Sequence, residues 1–215
     1  MKALERLVAE KLLGVKAVKL QPANPFTWAS GWKSPIYCDN RKTLSYPPIR
    51  NFIKIELARV ISERFVNAEA IAGVATGAIA QGALVADILG LPFVYIRATP
   101  KDHGLENLIE GELRLGSKVV VIEDLVSTGG SSLKAVEAIR NFGCEVIGMV
   151  AIFTHGFPIA EQKFKEAKIN LVTLCRYEAV IEEALRTNYI SEDELCTLQE
   201  WRKDPANWNP DPDKL

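Results

Sequence analysis

The sequence predicts an α/β fold with a central parallel sheet flanked by helices and a small N-terminal subdomain. Beyond about residue 68, short apolar runs alternate with segments of helical length, which is typical of a parallel sheet covered on both faces. Residues 15–46 differ, because they combine short apolar stretches with aromatics, proline and a Ser-Gly pair. We therefore expect one domain over residues 1–215, with a subdomain at about 15–46, an α/β core at about 47–200 and an irregular tail at 204–215.

Composition narrows the class of protein. With 215 residues, of which 48% are hydrophobic and 25% charged, the chain can bury a sizeable core. A net charge of −1 argues against nucleic-acid binding through bulk charge, and no apolar run approaches the roughly 20 residues of a membrane span. The N-terminus is amphipathic and carries acids, which predicts a helix and not a signal peptide. The four cysteines form no CxxC pair, so we expect reduced thiols in a cytoplasmic protein.

The individual elements follow from hydrophobic periodicity and from helix start and stop residues. A first helix ends at Gly14, and residues 15–46 contain short strands and loops. A second helix begins near the prolines at 47 and 48. Ser191 and Glu194 have the spacing of a capping box at the start of a last helix. The other predicted elements are strands at 68–75, 91–97, 118–124, 144–154 and 170–174 and helices at 78–90, 131–143 and 159–167.

The most informative stretch is VVVIEDLVSTGGSS, residues 119–132. Ligands of a parallel sheet bind beyond the carboxyl ends of its strands, and Glu123 and Asp124 lie at such an end. Residues 127–131 are small or carry hydroxyls and lead into a helix. Backbone N–H groups, hydroxyls and the helix N-terminus can together bind a phosphate there. The segment is neither a Walker loop nor a dinucleotide fingerprint, since GxxxxGK[ST] and GxGxxG are both absent.

A sugar phosphate explains why acids and a phosphate-binding loop stand side by side. Its phosphate would bind the loop, while two vicinal hydroxyls would bind the carboxylates several ångströms away. The alternative is an acidic strand end followed by a polar helix cap, which is common. Two acids followed directly by the hydroxyl and glycine run, after four β-forming residues, favour the sugar phosphate.

The same stretch resembles the phosphoribosyl pyrophosphate (PRPP) binding motif of the type I phosphoribosyltransferases. Four apolar residues, two acids, two variable residues and then small and hydroxyl residues carry the resemblance. It implies the fold of that family, with the acids on the ribose hydroxyls, residues 127–131 around the 5-phosphate and a catalytic role for Asp124. The implied PRPP site comprises Glu123, Asp124, Leu125, Val126, Ser127, Thr128, Gly129, Gly130 and Ser131. In the members of the family that act on orotate, the hydroxyl at the position of Ser127 also contacts that base.

The segment YIRATPKDHGLENLIEGEL, residues 95–113, resembles the mobile catalytic loop of orotate phosphoribosyltransferases. The resemblance implies that Arg97, Lys101 and His103 contact the pyrophosphate. It also implies a homodimer in which loop 98–112 brings the catalytic Lys101 and His103 to the partner subunit's site. Movable cations would stabilise the charge that the leaving pyrophosphate gains in the transition state. The alternative for this segment is a solvated charged hairpin.

Two further segments match the same family. NPFTWASGWKSPIYCDNR, residues 24–41, resembles its orotate-side segment, which implies a hood of strands whose backbone near Ile36 and Tyr37 meets the pyrimidine. The alternative is a small aromatic core that includes Trp28 and Trp32. GVATGAIAQG fits the family's pyrophosphate loop, with residues 75–78 at the turn, although such strand-to-helix turns are common.

Three positions depart from the family pattern. Ala29 and Ala98 stand where many members carry lysine, and His155 stands where many carry an arginine that reaches orotate. Lys33 or His155 could supply the missing charge, and His155 could equally be a structural polar cap at a strand end. The departures affect the orotate contacts more than the PRPP contacts, and Ser127 retains the hydroxyl of the family.

The resemblance implies an enzyme that transfers the 5-phosphoribosyl group of PRPP to orotate. The products would be orotidine 5′-phosphate and pyrophosphate, in the de novo synthesis of UMP. Mg²⁺ is the implied cofactor, and no side chain is assigned to it as a direct ligand. The alternatives are transfer to another base, such as a purine, and a PRPP-sensing regulator. A regulator would need a nucleic-acid-binding face, which the neutral charge balance does not favour.

Overall fold

A computed structural model describes residues 3–28, 31–99 and 108–209. The strands are β1 (Val18–Leu20), β2 (Phe26–Thr27), β3 (Lys33–Ser34), β4 (Ile36–Cys38), β5 (Ala70–Val74), β6 (Phe93–Ile96), β7 (Ile109–Glu110), β8 (Lys118–Val126), β9 (Glu145–Thr154) and β10 (Leu171–Arg176). The helices are α1 (Ala3–Gly14), α2 (Pro47–Arg64), α3 (Ile79–Leu89), α4 (Gly130–Asn141), α5 (Pro158–Glu166), α6 (Tyr177–Arg186) and α7 (Glu192–Lys203), and Asn40–Ser45 forms a 3₁₀ helix.

The core is a six-stranded sheet in the order β10-β9-β8-β5-β6-β7. Its neighbouring strands are parallel, except that β7 pairs antiparallel with β6. In the N-terminal segment 15–46, hereafter the hood, β1 pairs with β4 and β2 pairs with β3, both antiparallel. The predicted α/β class, with a parallel sheet and a separate N-terminal group of strands, is therefore confirmed.

Both faces of the sheet are buried, because successive side chains of a strand point to opposite faces. Val120 and Ile122 of β8 belong to the hydrophobic cluster formed with α1, α2, α6 and α7. Val119 and Val121 belong to the cluster formed with α4 and α5. All five residues of β5 are buried. A strand buried on both faces has an unbroken apolar sequence, as the stretches at 70–74 and 119–122 do.

The predicted helix ends agree with the structure where a capping residue, a glycine or a proline marks the end. Helix α1 ends at Gly14, and α2 begins at Pro47. The predicted capping box is confirmed, since Glu194 N donates to Ser191 Oγ at 3.2 Å and Ser191 N donates to Glu194 Oε2 at 2.8 Å. Among the described residues, no helix combines the length and the apolar character that crossing a membrane requires.

Three elements differ from the prediction. Helix α6 was not predicted, because it follows β10 directly, without the turn residues that mark a boundary. Strand β8 extends two residues beyond 124, where Thr154 Oγ1 donates to Val126 O at 3.0 Å. Glu123 and Asp124 therefore lie within the strand. The predicted loop 98–112 contains strand β7, which pairs Glu110 with Tyr95.

Aromatic residues attach the hood to the core. Trp201 of α7 is fully buried, and its Nε1 donates to Lys33 O in the hood at 3.2 Å. The ring of Trp28 lies 5.8 Å from that of Trp201 and 6.4 Å from that of Trp32. Trp28 Nε1 also donates to Ile36 O at 3.0 Å. The hood tryptophans thus form an aromatic core, and this core places β4 near the carboxyl end of the sheet.

Candidate active site

Two adjoining cavities lie at the carboxyl ends of the central strands, and they share Ala75 and Thr76. The Asp124 cavity, of about 350 Å³, is lined by Cys38, Asp39, Arg41, Val74, Ala75, Thr76, Gly77, Glu123, Asp124, Leu125 and Ser131. The Arg97 cavity, of about 510 Å³, is lined by Ala75, Thr76, Ile79, Tyr95, Arg97, Ala98, Thr99 and Glu110.

Asp124 is held from two sides. Its carbonyl accepts a hydrogen bond from Asn40 Nδ2 at 2.6 Å, which connects the hood to the central strand. Its carboxylate packs against the backbone of Gly77, where a Cβ atom would lie 2.3 Å from Asp124 Oδ2. A side chain at position 77 would therefore displace the carboxylate. The turn 75–78 and the Asp124 carboxylate are therefore in close contact. The spacing of these residues in the sequence does not reveal this contact.

Glu123 is turned toward helix α4 and is only 4% exposed. Its Oε2 accepts from Ser132 Oγ at 2.9 Å, and its Oε1 accepts from the Asp124 backbone N–H at 3.0 Å. Burial, and then the neighbouring negative charge of Asp124, raise the pKa of Glu123 above its ordinary 4.5. A protonated carboxyl has one O–H donor and still has acceptor capacity, so Glu123 can support the strand end and still bind a ligand hydroxyl.

Residues 127–129 form the turn that leads into α4, and Gly130 and Ser131 are the first residues of the helix. Gly129 precedes the helix with a φ of +76°, and a Cβ there would lie 3.0 Å from the Phe164 ring. Glycine is therefore required at this position. No side chain caps the start of α4, which leaves its first backbone N–H groups for an anion. Ser131 in the first turn lines the Asp124 cavity.

Arg97 lies in the second cavity, beside an acid. Its Nη1 is 3.5 Å from Glu110 Oε1. Its backbone N–H donates to Leu108 O at 2.8 Å, so the pairing of β6 with β7 sets the base of the predicted loop. Lys101 and His103 lie outside the described residues, as does Ala29.

The sequence interpretation missed three consecutive residues of the hood. Asn40 reaches Asp124, and Asp39 and Arg41 line the same cavity. Arg41 Nε donates to Asp39 Oδ1 at 2.7 Å. This bond lowers the pKa of Asp39 and raises the pKa of Arg41. The signal was present as Asp-Asn-Arg at the end of the hood segment, but only the folded chain places these residues beside Asp124.

His155 does not supply the missing orotate cation. It is 1% exposed, and its ring stacks on Phe157 with centroids 5.3 Å apart and lies 5.2 Å from Trp28. Burial, with a smaller contribution from the nearby Arg202, lowers the pKa of His155 to about 3. The ring is therefore neutral at neutral pH and has a structural role. Lys33 is exposed and donates to Thr27 Oγ1 at 2.8 Å. It lines neither cavity.

We expect the Glu123→Gln variant to gain stability over the wild type as pH rises. The folded protein retains a proton on Glu123 that the unfolded chain has already released. The free energy of unfolding of the wild type therefore falls as pH rises from 4.5 through the raised pKa. Glutamine cannot ionise. Between about pH 5 and about pH 8, the difference should shift by about 1 kcal/mol or more in favour of the variant.

Urea unfolding at a series of pH values measures this difference. Glu145→Gln serves as the control, because it makes the same substitution at an exposed position at the start of β9. A pH-independent difference for Glu123→Gln would mean that Glu123 is charged throughout this range.

The chain is similar to proteins of a known family. The sequence pattern of the phosphoribosyl transferase domain family matches residues 49–184. The chain is 75% identical, over 209 residues, to an orotate phosphoribosyltransferase of Bacteroides thetaiotaomicron, covering 97% of this chain and 99% of that protein.

Two solved structures have folds similar to the fold of this chain. The orotate phosphoribosyltransferase from Aeropyrum pernix superposes with a TM-score of 0.75 at 27% identity, over 86% of this chain and 99% of that one. The Leishmania donovani UMP synthase superposes with a TM-score of 0.79 at 25% identity, over 93% of this chain and 42% of that one. The chain thus spans less than half of the UMP synthase. Because the family pattern matches residues 49–184 and the similarity to the Bacteroides protein covers nearly the whole chain, this chain belongs to the phosphoribosyltransferase family. Within that family it belongs to the orotate phosphoribosyltransferases.

Proposed function

We propose that the protein transfers the 5-phosphoribosyl group of PRPP to orotate and releases orotidine 5′-phosphate and pyrophosphate, in the de novo synthesis of UMP. The observation that carries this proposal is the Asp124 cavity. It combines a carboxylate for sugar hydroxyls with the start of α4, where backbone N–H groups can bind phosphate. We also propose that the hood and the core together form one domain. Four free cysteines support a cytoplasmic location.

In the proposed binding mode, Asp124 accepts hydrogen bonds from the ribose and residues 127–131 bind the 5-phosphate. Glu123 holds the end of β8 against α4 and presents its remaining lone pairs to the sugar. Ser127 and the β4 backbone near Ile36 and Tyr37 meet the pyrimidine. Orotate is already an anion, so the transfer needs little base catalysis. Electrostatic stabilisation of the departing pyrophosphate is then the main catalytic requirement.

Arg97 supplies positive charge for that pyrophosphate beside the turn 75–78. By family resemblance, Lys101 and His103 add further charge from the neighbouring subunit of a homodimer. These cations act most strongly in the transition state, because the leaving group gains charge as the glycosidic bond breaks.

Mg²⁺ is the proposed cofactor. Within the described ranges, no three His, Cys, Asp or Glu side chains converge on a metal position. Mg²⁺ is usually bound through one or two carboxylates together with water and substrate phosphates, and Asp124 fits that mode as the carboxylate. When bound with PRPP, the ion would neutralise part of the diphosphate charge.

The substrate assignment predicts that orotate absorbance decreases only when PRPP and Mg²⁺ are both present. The measurement is orotate consumption by the purified protein, with uracil, adenine, guanine and hypoxanthine as competing bases. Turnover of one of these bases without turnover of orotate would favour the alternative of another acceptor. PRPP binding without any turnover would favour a sensor.

Gly77→Ala should lower kcat/KM by about 100-fold, because the new methyl group displaces the Asp124 carboxylate and catalytic groups tolerate little misplacement. Steady-state kinetics with orotate and PRPP measure the effect. The matched control is Gly14→Ala, since a Cβ at Gly14 has no atom within 4 Å. Wild-type kinetics from a folded Gly77→Ala protein would show that the Asp124 position is unimportant.

The shared site is tested by mixing two inactive variants. Lys101→Ala and Asp124→Ala homodimers should each be nearly inactive. If the loop acts on the partner subunit, a hybrid dimer has one site with both defects and one intact site, and should regain about half of the wild-type activity. Loops that serve their own subunit would leave one defect in each site. Absence of recovery, with subunit exchange confirmed by mass spectrometry, would therefore exclude the shared arrangement.

A further inference from the structure

We infer that Arg41 of the hood is a specificity-determining residue that binds the diphosphate of PRPP. This inference rests on the proposed function and extends it, because neither the sequence pattern nor the family resemblance assigned a role to this residue. It follows from the contacts of Arg41, from the charges around the Asp124 cavity and from the position of the turn 75–77.

The contacts of Arg41 leave its guanidinium oriented but available. Asp39 accepts from Nε at 2.7 Å, and within the described part of the chain the two terminal nitrogens donate to no side chain or backbone acceptor. The side chain is 57% exposed and lines the Asp124 cavity. A guanidinium held at Nε can still offer a pair of N–H donors, and this geometry suits phosphate oxygens.

The charges of the Asp124 cavity explain why an anion needs this residue. Asp39, Glu123 and Asp124 all line the cavity, and Arg41 is the one cation among its described lining residues. Sugar hydroxyls are favoured beside these acids, but a diphosphate is repelled by the carboxylates of Asp39 and Asp124. Arg41 therefore offsets part of the repulsion at the place where the diphosphate must approach the ribose-binding acid.

The turn 75–77 distinguishes the diphosphate from the other anionic groups of the substrates. Arg41 lines one of the two cavities that meet at Ala75 and Thr76, and Arg97 lines the other. A diphosphate bound over this turn is accordingly flanked by two arginines. The 5-phosphate has its own donors at the start of α4.

The backbone around Arg41 is also held in place. Asn40 is 2% exposed and donates to Asp124 O at 2.6 Å, so the residue before Arg41 is fixed to the acid itself. Thr43 Oγ1 donates to Asn40 O at 2.6 Å within the 3₁₀ helix. Arg41 thus projects from a rigid segment, which lowers the entropy lost when it binds.

The experiment compares Arg41→Gln, Arg41→Lys and wild type in binding and in kinetics. Titration calorimetry with Mg²⁺-pyrophosphate, and separately with ribose 5-phosphate, requires no assumption about the base. We expect Arg41→Gln to weaken pyrophosphate binding and to raise the KM for PRPP by about 10- to 100-fold. Ribose 5-phosphate affinity and the KM for orotate at saturating PRPP should be unchanged. Arg41→Lys should be intermediate, because it keeps the charge but loses the paired donors.

A control variant separates binding from structure. Arg59 is an exposed arginine paired with Glu56 and Glu63 on α2, outside both cavities, and Arg59→Gln should bind and react like wild type. The urea midpoint of Arg41→Gln should match that of wild type, because exposed ion pairs contribute little to stability.

Three outcomes would overturn the inference. Unchanged pyrophosphate affinity and PRPP KM in Arg41→Gln would remove Arg41 from the site. Weakened ribose 5-phosphate binding with intact pyrophosphate binding would assign it to the 5-phosphate, and a raised KM for orotate alone would assign it to the orotate carboxylate. A wild-type protein that binds pyrophosphate but does not consume orotate would instead refute the proposed function and leave the binding test valid.

Discussion

The arrangement of the site depends on the packing of Asp124 between the hood and the turn 75–78. Asn40 donates to its carbonyl, and the bare backbone of Gly77 leaves room for its carboxylate. Neither contact is made within strand β8 itself. The acid is therefore positioned by two segments that lie far away in the sequence, and the Asp124 cavity is built around the position that results.

The two adjacent acids of this site, Glu123 and Asp124, have different surroundings, and this difference lowers the repulsion between their charges. Glu123 is buried, accepts two hydrogen bonds and has a raised pKa, whereas Asp124 faces the cavity. Two neighbouring carboxylates cannot both be fully charged at low cost in a partly buried site. Retention of a proton by Glu123 lowers the repulsion that an incoming phosphate meets, while Asp124 stays available to sugar hydroxyls.

The hood is held to the core by the packing of aromatic rings around His155. His155 lies among Trp28, Phe157 and Trp201 and is neutral because burial lowers its pKa to about 3. Charged histidine in such surroundings would lose hydration without a compensating acid. A charge for orotate therefore does not come from this position.

The sequence alone determined the parallel α/β sheet, most helices and the PRPP-binding stretch, because each is a local pattern. Alternating apolar runs, the capping box at Ser191 and the acids followed by hydroxyls and glycines can all be recognised within a few residues. Helix α6 was not predicted, because no turn residue separates it from β10. Only the tertiary structure decided that Glu123 turns toward Ser132, that His155 is buried, and that Asn40 and Arg41 stand beside Asp124. These outcomes depend on contacts between segments distant in the chain, and neither burial nor long-range contact is encoded in the spacing of neighbouring residues.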